Sequence, residues 1–320
     1  MTHRREFIKR ISVVGILTGI APSWLNAKQA DRPFAPNKKR ALRIAHVTDV
    51  HILDQMNAET CFARVLQEIN SLKDKPDLII NTGDTVMDEN KQLLETVETR
   101  WNVWKRISKN ENDIVMKSAL GNHDVWYGPD ATLDAKYKLD KRYGKQWAID
   151  NLAMPSRYYS FDLNGWKFIA LDSINGEDGY QLDEEQFSWL RNELTHARPG
   201  QPVCVFSHVP IISMGALLYA TKHTPMNDIK FPSADMHNDH QRIKDIFSAA
   251  GSVKVCLSGH VHYVDGVDYL GVKYLCNGAV SGNWWRAPLA LDEFPPVYSL
   301  LDLYEDGTFD HRLVYYNSKV

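Results

Sequence analysis

The sequence has little cysteine: Cys61, Cys204, Cys256 and Cys276 stand far apart, with no short spacing among them. Neither a disulfide framework nor a thiolate metal site fits that pattern, and buried free thiols are the expectation. Positive charge is not in excess either. With 37 Lys and Arg against 40 Asp and Glu, a net charge of -3 and a pI near 6.5, the chain lacks the basic surplus of a nucleic-acid binder. A stable membrane span is not expected, because the apolar stretch Ile11 to Leu25 falls short of the ~20 residues a spanning helix needs and contains Pro22. Repeats and low-complexity tracts are absent too. What remains is an ordinary globular chain, and 320 residues with 44% apolar composition can bury one large core.

The N-terminus is distinctive. Arg4-Arg5-Glu6-Phe7-Ile8-Lys9 before the apolar stretch resembles a twin-arginine export signal, with His3 where Ser or Thr is usual and a small-residue cleavage point at Ala27. Residues 1–27 are therefore read as a cleaved signal engaging the twin-arginine export machinery, which makes the protein periplasmic or extracellular; the competing reading is an uncleaved anchor. Cleavage removes Arg4, Arg5, Lys9 and Arg10 with only Glu6, leaving the remainder more acidic. Residues 28–41, with Pro33, Pro36 and Lys38-Lys39-Arg40, read as a linker, and 42–320 as the single domain.

From Leu42 apolar runs alternate with helical periods. Strands are expected at 42–48, 77–82 and 114–120, with helices at about 58–73 (Phe62, Val65, Leu66, Ile69) and 91–108 (Leu94, Val97, Trp101, Trp104) between them. Alternation of this kind predicts right-handed crossovers and an α/β fold with a largely parallel sheet. A helix-prone insert, 129–156, precedes a hairpin turning at Asn164-Gly165. Asp183, with Gln186 three residues on, caps a helix, and a strand at 202–207 follows. Residues 209–238 are expected to form a loop over the site, and short strands fill the C-terminal third.

Several strand ends carry Asp, His or Asn: Asp49-Val50-His51, Gly83-Asp84, Gly121-Asn122-His123-Asp124, His208, and Gly259-His260-Val261-His262. Strand period places Asp49 and His51 on one face and His46 on the other. Asp49, His51, Asp84, Asn122, His208, His260 and His262 are too many ligands for one tetrahedral ion, but suit two ions sharing a bridging carboxylate, with Asp84 the natural bridge. Such a pair of ions activates water and clamps the oxygens of an in-line displacement, so phosphate-ester hydrolysis is the obvious use. Imidazole and carboxylate without thiolate suit Mn, Fe, Zn or Ni. His123 is placed to hydrogen-bond the phosphoryl oxygen or to protonate the leaving oxygen, and Asp124 to fix its tautomer.

This ordered set resembles the signature of the calcineurin-like metallophosphoesterases, over residues 42 to about 262. The resemblance implies a four-layer αββα sandwich, two mixed β-sheets flanked by helices, binding two metal ions (Mn, Fe or Zn). It assigns Asp49, His51 and His262 to one ion, Asn122, His208 and His260 to the other, Asp84 to both, and His123 to acid catalysis. Met87 stands where purple acid phosphatases carry tyrosine, so the bacterial cyclic-nucleotide phosphodiesterase branch is closer. The expectation is an exported phosphoesterase that hydrolyses a small-molecule phosphodiester or monoester through metal-bound hydroxide. Rival readings are a cyclic-nucleotide phosphodiesterase specifically, a non-catalytic scaffold that keeps the fold, and a nuclease, which the acidic composition disfavours.

Trp126, Tyr127, Asn277, Trp284 and Trp285 are expected as walls of the substrate pocket, Trp284 and Trp285 foremost as a stacking surface, with core packing the competing role. His196, His223, His237, His240 and His311 are read as surface or satisfied core histidines. Asp172 is either an acid behind the ligands or a turn residue.

Overall fold

The computed structural model describes residues 38–53, 57–129, 134–175, 179–221, 234–286 and 294–316. The expected signal, 1–27, and the linker up to residue 37 lie outside the described residues, as does His223. The linker expectation ends too late: strand pairing begins at Arg40.

The first half alternates as the apolar runs require: β1 (Arg40–Val47), α1 (Ala58–Ser71), β2 (Leu78–Asn81), α2 (Leu94–Asn110), β3 (Met116–Ser118). These three strands run parallel, with Val47 level with Asn81 and Asn81 level with Ser118, so their C-terminal ends share one edge. On α1, Phe62, Val65, Leu66 and Ile69 are buried, and on α2 Val97, Trp101 and Trp104. Phe62 and Trp104 stack at 5.1 Å between the two helices. Burying each such side chain contributes about 1.5–3 kcal/mol, and the aromatic pair about 1 kcal/mol more.

After α3 (Asp134–Tyr137) and α4 (Gln146–Asn151) come β4 (Tyr159–Leu163), β5 (Trp166–Ala170), α5 (Glu184–Thr195), β6 (Val203–Phe206), α6 (Met214–Thr221), α7 (His240–Ala250), β7 (Val253–Ser258), β8 (Val264–Tyr269) and β9 (Val272–Asn277). They build a second sheet in the order β4-β5-β6-β7-β9-β8. Asn164 and Gly165 both have positive φ (46° and 91°), as a tight hairpin between β4 and β5 demands. The strands β10 (Val297–Tyr304), antiparallel to β1, and β11 (Phe309–Tyr315), antiparallel to β10, close the first sheet, giving β11-β10-β1-β2-β3.

Largely parallel describes only part of each sheet: an antiparallel hairpin forms one edge of the first sheet and both edges of the second, so both sheets are mixed. Phe168, Cys204, Phe206, Val255 and Leu257 point into a core shared with Leu42, Ile44 and Leu301 of the other sheet. Alternate residues Ile169, Leu171, Val203 and Val205 face the helices α5 and α7 through Phe187, Leu190, Ile243 and Phe247. The result is the four-layer arrangement of helices, sheet, sheet, helices. All four cysteines are buried and free. Among the described residues no helix is long and apolar enough to cross a membrane.

Asp183 caps α5 by accepting from Gln186 N at 2.8 Å. Gln186 does not return the bond; its amide instead grips both backbone groups of Asp172, at 2.8 and 2.9 Å. The Asp172 carboxylate is buried against Lys145 and Arg157 and is a loop anchor.

Candidate metal centre

At the shared strand edge, three groups of side chains each bring one ligand-type atom within 4.8 Å of the others among the described residues: Asp49, His51 and His262; His51, Asp84 and His123; Asp84, His208 and His260. In the first, Asp49 Oδ1 lies 3.3 Å from His262 Nε2, and the Nε2 atoms of His51 and His262 are 3.0 Å apart. In the last, His208 Nε2 is 3.0 Å from Asn122 Oδ1, 3.1 Å from His260 Nδ1 and 3.2 Å from Asp84 Oδ2. Asp84 Oδ2 also stands 3.7 Å from His51 Nε2, between the groups. His46 points away, bonded to Thr82 and Asn277.

The means of bringing Asp49 and His51 together is not the strand period. Strand β1 ends at Val47, and Asp49, His51, Asp84, His260 and His262 all have left-handed backbones, with φ of 52°, 48°, 48°, 71° and 60°. Each is strained for a side-chain-bearing residue and persists only because the surroundings over-determine it. His51 N bonds Asp84 O at 2.9 Å, and Asp49 N bonds Gly83 O at 3.0 Å, so the two loops brace one another. Gly121 and Gly259 let them approach: a Cβ on Gly121 would overlap Asp84, and one on Gly259 would overlap Thr48 and Asp49.

Outer contacts aim the imidazoles inward. His208 Nδ1 donates to Thr82 O at 3.0 Å, His262 Nδ1 to Gly282 O at 2.7 Å, and His260 Nε2 to Ala234 O at 2.6 Å. With the outward nitrogen held as a donor, the inward one has its lone pair free for a cation. Burial drives His51 down to about 3 and His260 to about 4, favouring neutral rings. Burial opposes charge on Asp84, yet His208 and His123 hold its carboxylate well below the ordinary range. For His208 the lowering by burial is outweighed by Asp84, which lifts it to about 9. Neutral nitrogens, carboxylates and an amide oxygen, without sulfur, fit divalent or trivalent first-row metals.

His123 is half-buried, its Nε2 3.8 Å from Asp84 Oδ2. Asp124 does not fix its tautomer. That carboxylate is buried and taken by backbone donors, Thr85 N at 2.7 Å, Val86 N at 3.2 Å and Gly121 N at 3.0 Å, which binds two loops together. Burial and the charge of Asp84 raise it to about 7. The acid facing His123 Nδ1 is Asp88, at 3.7 Å, a residue that sequence reasoning missed; its place four positions after Asp84 was the available signal.

The pocket-wall expectations divide. Trp126 is fully buried, its Nε1 donating to Gln92 O at 3.0 Å and its ring set against Tyr137 and Trp147, so it belongs to the core. Asn277 is buried too, joined to His46 at 2.6 Å and Ser299 at 2.9 Å. Trp285 is buried with its N–H on the carbonyls of Val50 and His51, clamping the turn from behind. Only Trp284 remains at the site: half-buried, left-handed (φ 49°), and stacked on His262 with centroids 4.1 Å apart. Tyr127 is exposed, paired edge-on with Tyr143. The expected covering loop is described only in part, with α6 packed on β8.

Comparison with known proteins agrees with this geometry. The calcineurin-like phosphoesterase family model matches residues 42–264. A 3′,5′-cyclic-nucleotide phosphodiesterase of Nostoc sp. is 25% identical over 290 residues, 87% of this chain and 93% of that protein. A probable glycerophosphodiester phosphodiesterase of Arcobacter nitrofigilis is 24% identical over 233 residues, 69% of this chain and 72% of that protein. The fold is shared with a dimetal phosphatase of Danio rerio at 13% identity and TM-score 0.59, covering 87% of this chain and 100% of that one. With the family model spanning every strand end that carries a candidate ligand, the chain belongs to the calcineurin-like phosphoesterases and is a metal-dependent phosphoester hydrolase.

Proposed function

We propose that the protein is an exported phosphodiesterase working with two metal ions. Asp49, His51 and His262 would hold one ion, Asn122, His208 and His260 the other, and Asp84 both. The observation that carries this is the single oxygen, Asp84 Oδ2, set 3.7 Å from His51 and 3.2 Å from His208, within reach of both groups. Metal ions bound by these residues would supply activated water at neutral pH and neutralise charge on the phosphoryl oxygens. His123, at the open side, donates a proton or hydrogen bond to the departing oxygen, with Asp88 facing its other nitrogen. Trp284 walls the pocket beside His262 and offers a flat surface to the ester group.

Diester preference is favoured by the two relatives, both named as phosphodiesterases. Export, supported by Arg4-Arg5 and the apolar stretch after them, favours scavenging of external esters over turnover of an intracellular messenger. Hydrolysis of bis-p-nitrophenyl phosphate and p-nitrophenyl phosphate, after separate reconstitution with Mn, Zn and Fe and with Asn122→Ala as blank, tests the chemistry. Faster diester cleavage supports the proposal, and monoester preference replaces it with a phosphatase. Retention of Arg4→Lys/Arg5→Lys protein in the cytoplasm tests the export route.

A further inference from the structure

His237 is fully enclosed, and it makes two side-chain bonds: Nδ1 to Asp239 Oδ1 at 2.9 Å and Nε2 to Ser173 Oγ at 2.8 Å. A Ser–His–Asp sequence of contacts invites a nucleophilic reading. Ser173, however, has no exposed surface, so no ester can reach its Oγ. The contacts instead join separate strips of chain. Ser173 lies on the loop after β5 and accepts from Gln181 N at 3.1 Å, and Asp239 Oδ2 accepts from Leu182 N at 2.7 Å. Asn238 N bonds Tyr180 O at 2.9 Å, and His237 N bonds Pro210 O at 3.0 Å, two residues past His208.

Both strips end on His260. Ala234, three residues before His237, presents the carbonyl that accepts from His260 Nε2 at 2.6 Å. Tyr180 sets its ring edge-on against His260, centroids 5.0 Å apart and planes at 85°. The outward side of the His260 imidazole is thus framed by the segments that His237 ties together, while Nδ1 faces His208.

We infer that His237 is a positioning residue: by pinning 234–239 to the loop of Ser173 it keeps His260 in the Nε2–H tautomer, with Nδ1 free for the second ion. The inference rests on the two-ion reading for its consequence, though not for the tautomer itself. Loss of such an outer partner commonly weakens a metal by about 10–100-fold. The effect falls mainly on one ion: Asp49 meets His260 only through the His260 backbone N, at 3.0 Å, and Asp49, His51 and His262 are held by Gly83, Trp285 and Gly282.

The test uses the full chain with His237→Gln and Ser173→Ala. Long-range ¹H–¹⁵N spectra of the metal-free protein report the His260 tautomer, and calorimetric titration with Mn(II) reports each ion. Wild type is expected to show Nε2–H on His260. His237→Gln is expected to lose that state and to bind the second Mn(II) about 10–100-fold more weakly, with the first within about twofold; Ser173→Ala is expected to fall between. An unchanged tautomer and unchanged second affinity in His237→Gln overturns the inference. Should that variant fail to fold, the same result in Ser173→Ala overturns it. If wild type binds one ion yet the tautomer shifts in the variant, His237 positions His260 as inferred and the two-ion reading is what fails.

Discussion

Trp284 lies face to face with His262, ring centroids 4.1 Å apart and planes inclined by 27°, with a left-handed backbone holding the indole there. A stacked aromatic pair is worth about 0.5–1.5 kcal/mol, so Trp284→Ala should change substrate handling without collapsing the fold. We expect its kcat/KM for bis-p-nitrophenyl phosphate to fall about 3–10-fold, and that for an aliphatic diester to fall less. Equal losses on both would remove Trp284 from substrate contact. Trp285→Ala, by contrast, should cost about 3–5 kcal/mol in denaturant unfolding, because its buried N–H clamps Val50 and His51.

His123 and Asp88 give a graded pair. His123→Ala should lower kcat about 10²–10⁴-fold while metal content stays at the wild-type value, since the ring is at the open side. Asp88→Asn should give a smaller loss of kcat with KM unchanged, measured on the same diester. Loss of metal from His123→Ala would show that His123 is a ligand and not the proton donor.

Acid should weaken the fold through His46. Burial drives its pKa from 6.5 to about 3, and its nitrogens are engaged by Thr82 and Asn277. Between those values the unfolded chain binds a proton that the native state refuses, so stability falls as pH drops from 6.5 towards 3 and is fully present above 6.5. One such proton contributes a slope of about 1.4 kcal/mol per pH unit. Urea unfolding of metal-free wild type and His46→Gln from pH 4 to 7 should give curves that differ by about that slope. Parallel curves would contradict the assignment.

Arg43 and Asp302 form a buried two-bond pair between β1 and β10, at 2.6 and 2.7 Å. Asp302→Ala leaves the enclosed guanidinium with Asp74, 3.1 Å from Nη1, as its remaining acidic partner and should cost about 3 kcal/mol by chemical denaturation. Removing the exposed partner of Arg242, with Glu184→Ala, should leave the unfolding curve close to wild type, because water screens that pair. Similar costs for the two would undo the distinction drawn from burial.

The central strands and the helices on them were legible because their apolar periods are long and unbroken, as in Phe62 to Ile69. The cluster of candidate ligands was legible because each of them follows such a run. Their local conformation was not: left-handed Asp49 and His51 depend on loops supplied by Gly83 and Asp84, far along the chain. Asp124 misled because adjacency to His123 says nothing of the backbone donors that claim its carboxylate. Trp126, Trp285 and Asn277 misled because a polar edge on an aromatic or amide can be satisfied inside the core as well as in a pocket.

In the proposed centre one carboxylate, Asp84, joins two ion sites. Metal content by plasma mass spectrometry, on Mn-reconstituted and dialysed wild type and Asp84→Ala, tests it most directly. Wild type is expected to carry about two ions per chain and the variant fewer than one, since His51 and His208 both face the lost oxygen. One ion in wild type, or two retained by Asp84→Ala, would contradict it.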